Sequence, residues 1–111
     1  MLGVRLVEYS DDTVSRGSIL RLPACWPYED LVEFMVVDFP DGNYGHSIVV
    51  SSGNKSGLVV VQLPLESRSV EHGISVSWLI KNWGEWVYPD CPVEAVYLFE
   101  RVDISGDVMV R

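Results

Sequence analysis

Apolar residues recur along the chain in short runs rich in β-branched side chains, each closed by turn residues: VRLVEY, GSILRLP, EFMVVDF, HSIVVSS, GLVVVQLP, EAVYLFE and DVMV. Val, Ile, Tyr and Phe in such runs fit a pleated, half-buried surface, so the pattern predicts a sheet. In SIVVSSGNKSGLVVVQL, residues Gly53 to Gly57 separate two mirror-like apolar runs, which predicts a hairpin with strands near 47–52 and 57–63. The PDGNYG turn at 40–45 precedes it, so three consecutive antiparallel strands beginning near Glu33 are expected as a meander. The echo of SIVV by LVVV is hairpin symmetry, and no repeat of solenoid length is present.

One stretch breaks this pattern. SWLIKNWGEW places three of the four tryptophans within residues 77–86, and Ser75 or Ser77 precedes it as an N-cap candidate. At about 100° per residue, Trp78, Trp86, Leu79, Trp83, Val76 and Ile80 sweep in that order over roughly 200° of a helical wheel. Trp83 and Leu79 are expected in the core. Trp78 and Trp86 fall near the polar boundary with Asn82 between them, which allows two readings: all three rings cover the sheet, or the helix edge binds a partner. Gly84 costs about 1 kcal/mol of helix stability relative to Ala, so it is expected to mark close approach to a strand or an early helix end. The predicted fold is α+β: one domain over residues 1–111, with a mainly antiparallel sheet of about six or seven strands and one main helix near 75–87 packed on it.

Charge narrows the range of partners. Sixteen acidic groups oppose eight basic ones, giving a net charge of −8, while the 48% hydrophobic share is that of a folding chain. Binding to a phosphate backbone rests on Lys and Arg releasing counterions, so nucleic acid is disfavoured as a ligand, and an anionic membrane likewise. A cationic protein is favoured, because a negative field speeds encounter with positive surfaces. The start, MLGVRLVEYS, lacks a basic region followed by a sustained apolar one, and no run reaches the ~20 apolar residues of a membrane span. A cytoplasmic location is therefore expected.

The chemistry-bearing residues form no recognisable constellation. SGNKSG lacks the spacing of a phosphate-binding loop and reads as a solvated hairpin turn. His46 and His72 have no metal-ligand spacing, so neither a metal nor a cofactor is expected. Cys25 and Cys91 read as reduced, small apolar residues; a nucleophile could be assembled from either with His46 or His72, but nothing selects that combination. WPYEDLVE at 26–33 fits either a short helix opened by Pro27 or an acidic turn leading into the strand EFMVVDF.

Taken together, RGSILRLPACWPYEDLVEFMVVDFP, SSGNKSGLVVVQLPLES and GISVSWLIKNWGEWVYPDCPVEAVYLFE resemble a small family of bacterial immunity proteins. These are encoded beside the toxins of contact-dependent growth inhibition and other polymorphic toxin systems. The resemblance runs from about Gly17 to Glu100 and carries no catalytic signature. It implies a cytoplasmic protein without activity of its own that binds one cognate toxin, the toxin's C-terminal domain, and blocks it. A nuclease is the toxin that best matches the charge, because a cationic cleft built for phosphate is met by carboxylates. The expected contacts are Glu29, Asp30, Asp38, Asp41, Glu85 and Asp90, with Tyr44, Trp78 and Trp86 as aromatic anchors. The competing readings are a small cysteine hydrolase and a domain whose tryptophans line a small-molecule pocket.

Overall fold

The computed structural model describes residues 3–38 and 42–100, and most of the apolar runs within them pair as antiparallel strands, although VRLVEY does so only at Val4–Arg5 before a 3-10 turn over Leu6–Glu8. In chain order these are β1 (Val4–Arg5), β2 (Thr13–Ser15), β3 (Ile19–Pro23), β4 (Leu31–Val37), β5 (Ser47–Val50), β6 (Val59–Gln62) and β7 (Gly73–Ser75), then helix α1 (Val76–Trp86) and β8 (Tyr97–Phe99). Six of the strands form one sheet in the order β1-β8-β3-β4-β5-β6, and β2 pairs with β7 separately. The expected meander is present as β4-β5-β6, and its β5–β6 turn carries Gly53 and Gly57 at positive φ, which the absence of a Cβ permits. The DVMV run lies outside the described residues.

The short helix anticipated as one reading of 26–33 does not form. Pro23 already stands opposite Leu31 across β3 and β4, so residues 24–30 must reverse the chain within one loop. The Ala24 amide donates to the Asp30 carbonyl at 2.9 Å and the Tyr28 amide to the Cys25 carbonyl at 2.9 Å, closing two turns. The acidic-turn reading is the correct one.

Period-two alternation decides which face of the sheet is covered. Leu20, Leu22, Val32, Phe34, Val36, Ile48, Val50 and Leu98 point inward and are buried, joining Val76, Leu79 and Trp83 of α1 in one core. On the other face, Phe99, Ile19, Met35, Val49 and Val59 stand opposite one another across five strands, half-buried or exposed. The sheet therefore has one side sealed by the helix and a second side that α1 leaves open.

Ser75 is the N-cap of α1, its side chain accepting a hydrogen bond from the Trp78 amide at 3.3 Å. The helix runs through Gly84, where a Cβ would meet no atom within 4 Å, so Gly84 neither ends the helix nor marks a close approach. It ends instead where Tyr88 precedes Pro89, a position biased away from helical backbone, with the Val87 and Tyr88 amides both donating to the Trp83 carbonyl.

Candidate partner-binding surface

The three helix tryptophans occupy distinct environments. Trp83 is 1% exposed, and its indole Nε1 donates to the Cys91 carbonyl at 3.1 Å, so its single polar atom is satisfied inside the core. Trp78 and Trp86 lie along the helix edge with ring centroids 6.0 Å apart, each covering part of the other. Trp78 Nε1 donates to Glu66 at 3.3 Å, and Asn82 between the rings donates to the Trp78 carbonyl at 2.9 Å. Trp86 remains 36% exposed.

Topology divides the expected acidic contacts between two ends of the sheet. Glu29 and Asp30 lie in the β3–β4 loop, whereas Asp38 and Tyr44 lie beyond the opposite end of β4, a strand of about 20 Å at ~3.3 Å per residue. Asp38 is 3.9 Å from Arg16, and the Tyr44 carbonyl receives both Nε and Nη2 of Arg68 while its exposed ring is free of them. Asp41 lies outside the described residues. Glu29 has a second role: its carboxylate accepts from the Asn54 amide at 3.2 Å, tying the β3–β4 loop to the β5–β6 turn.

The end of α1 joins Glu29 and Asp30. Tyr88, two residues past the helix, donates no backbone to the loop but places its hydroxyl 3.1 Å from the Cys25 amide, which donates to it. Its ring packs edge-on against Tyr28, and both pack edge-on against Phe34. Burial, together with the hydrogen bond between the Tyr88 hydroxyl and the Cys25 thiol, pushes the Tyr88 phenol above its ordinary value. Asp90 follows, within hydrogen-bonding range of that thiol. Five residues of chain span at most about 18 Å, so Glu85, Trp86 and Asp90 belong to the same end of the molecule as Glu29 and Asp30.

Two features at the surface escaped the sequence reading. Trp26, in the same loop, is 89% exposed, the fourth tryptophan standing outside any amphipathic pattern. Its signal was negative: an indole in a short acidic turn has no layer to cover. At the opposite end, Tyr9, Asp11, Asp12, Glu71 and Glu100 surround a hollow of about 490 Å³ with no cationic lining residue. There the Tyr9 phenol is pushed well above its ordinary value, first by burial and then by Glu100 and Asp11. A second concavity, about 700 Å³, opens on the sheet face away from α1 between Pro23, Leu31, Pro92, Tyr97 and Phe99. Two arginines border it, Arg21 held by Glu33 at 2.8 Å and Arg5 by Glu8 at 3.4 Å.

Nothing among the described residues assembles a cysteine–histidine pair. The Cys25 thiol meets Tyr88 and Asp90, the buried Cys91 thiol donates to the Pro92 carbonyl, and neither ring nitrogen of His46 has a hydrogen-bond partner. Burial raises the Cys91 thiol above its ordinary value, disfavouring the thiolate.

His46 instead makes the fold acid-sensitive. The ring is 1% exposed, and burial lowers its pKa below the ordinary 6.5, opposed by Asp38 and reinforced by Arg68, Arg16 and His72. The folded state thus favours the neutral ring, and this contribution is complete above 6.5 and lost as pH falls through the folded-state value. Below 6.5, stability should fall by up to about 1.4 kcal/mol per pH unit until the folded ring titrates. Denaturant unfolding at stepped pH should show this slope in the wild type and a flatter profile in His46→Leu; equal slopes would remove His46 as the cause.

The fold and surface describe a small α+β protein that presents aromatic and carboxylate side chains to solvent and whose described helix is too short to cross a membrane. The family model described as immunity protein 45 matches residues 6–98, and the chain belongs to that family of bacterial immunity proteins. Membership supports a toxin-neutralising role and implies a cognate toxin as partner. No curated protein and no solved structure matches the chain.

Proposed function

We propose that the protein, acting as one domain in the cytoplasm, neutralises a nuclease toxin of a contact-dependent growth inhibition or related polymorphic toxin system. It does so by laying carboxylates over the toxin's phosphate-binding cleft, without chemistry of its own. The observation that carries this reading is the surplus of unpaired acid. Among the described residues, ion pairs with Lys or Arg engage only Glu8, Glu33 and Asp38, leaving Glu29, Asp30, Glu85, Asp90 and others without a cationic partner within 4.0 Å. Carboxylates held this way on a folded surface are ready to form charge-assisted hydrogen bonds with the arginines and lysines of a nuclease cleft. Asp38 and Asp41, with the rings of Tyr44, Trp78 and Trp86, are further candidate contacts.

Binding in place of catalysis predicts indifference to the thiols and imidazoles. A variant with Cys25→Ser, Cys91→Ala, His46→Leu and His72→Ala, its folding checked by circular dichroism, should protect cells expressing the toxin domain encoded beside its gene as well as the wild type does. A folded variant that fails to protect would return the cysteine hydrolase to consideration.

A further inference from the structure

We infer that the toxin docks on the end of the molecule where the β3–β4 loop meets the C-terminus of α1, with Trp26 as the central anchor. This rests on the neutralising role proposed above. A tryptophan that is 89% exposed needs a reason, because its large apolar surface is left in water on a loop that is otherwise tied to the fold at several points. Cys25 is held by Tyr88, Tyr28 packs between Tyr88 and Phe34, Glu29 holds the β5–β6 turn, and the Ala24 to Asp30 hydrogen bond closes the base. The indole is thus displayed on a loop whose backbone is already ordered, so that little conformational freedom remains to be lost on binding. At the base of the loop, Leu31 is 54% exposed and opens into the 700 Å³ groove, extending the apolar surface beyond the ring.

Charge identifies what this surface fits. In the three segments that meet here, residues 24–30, 51–58 and 87–96, the acids are Glu29, Asp30, Asp90 and Glu94, and the sole cationic side chain is Lys55, while Arg21 and Arg5 at the groove are already engaged by Glu33 and Glu8. Glu85 adds to them from the last turn of α1, where no basic residue is present and the helix dipole already concentrates negative potential. An acid at that position works against helix stability, and such local conflicts collect at functional sites. A second copy of the chain would bring like charges together, so the complementary partner is a cationic protein surface with an apolar recess for an indole. The opposite end carries carboxylates too, but Arg16 pairs with Asp38 there and no tryptophan is displayed.

Titration calorimetry of the toxin domain encoded beside the gene, against purified wild type, Trp26→Ala, Glu85→Lys and Glu71→Lys, tests the placement. Trp26→Ala should keep the wild-type melting temperature and lose about 30-fold or more in affinity, the mark of an interface hot spot. Glu85→Lys should melt slightly higher yet bind several-fold more weakly, a pairing that a purely structural role would not give. Glu71→Lys, in the hollow at the other end, should bind like wild type. Affinities of Trp26→Ala and Glu85→Lys within twofold of wild type would overturn the placement while leaving neutralisation standing. A wild type that does not bind the toxin domain would overturn both.

Discussion

Trp83→Ala should destabilise the fold by about 3–5 kcal/mol, the range for truncating a large aromatic in a core. Trp83 is 1% exposed and packs in the same core as Leu79, Val87 and the inner face of the sheet. The substitution removes that volume and also leaves the buried Cys91 carbonyl without the indole N–H that donates to it at 3.1 Å, an added desolvation cost of about 1–3 kcal/mol where no water replaces it. Small domains have about 5–15 kcal/mol of stability in total, so the variant should be largely unfolded at moderate temperature. Trp78→Ala and Trp86→Ala should cost clearly less, because those rings sit half-buried or exposed at the helix edge. Thermal melts of the three single variants check the ranking, and a Trp83→Ala melt close to that of the wild type would contradict the packing described.

Association with the toxin domain should slow by about tenfold or more between low and high salt, with a much smaller change in dissociation. The net charge of −8 acts at long range, and the Debye length contracts from about 30 Å at 0.01 M to about 3 Å at 1 M, so steering is lost while packed contacts persist. Stopped-flow association across that range separates the two rates. An association rate independent of salt would mean that the acidity serves solubility alone.

The elements that pattern could reveal were those with enough residues to show a period. The β4-β5-β6 meander and α1 were legible because alternation over Leu31–Val37 and the helical recurrence of Leu79 and Trp83 each sample their period more than once. β2 and β7 were not, since Thr13–Ser15 and Gly73–Ser75 are too short to alternate meaningfully, and their pairing is set by tertiary placement beside α1. At Gly73 the backbone of Val14 comes within 2.3 Å of where a Cβ would stand, a constraint no local pattern announces. The helix-edge position of Trp78 and Trp86 was readable from the wheel. Trp26 was not, because its exposure follows from a loop pinned by Tyr88, 62 positions away in sequence, whose partner Cys25 the chain brings close only on folding. For the same reason, the expected contacts looked like one acidic surface in sequence, whereas among the described residues Glu29, Asp30, Glu85, Trp86 and Asp90 lie toward one end of β4 and Asp38 and Tyr44 beyond the other.

The central claim is that this protein silences a toxin by binding it, and titrating the nuclease activity of the toxin domain encoded beside its gene against the purified protein tests it most directly. Cleavage of a DNA or RNA substrate should fall linearly and vanish near one equivalent, and wild-type inhibition should survive loss of all four cysteine and histidine side chains. Cleavage that continues undiminished with the immunity protein in excess would contradict the account.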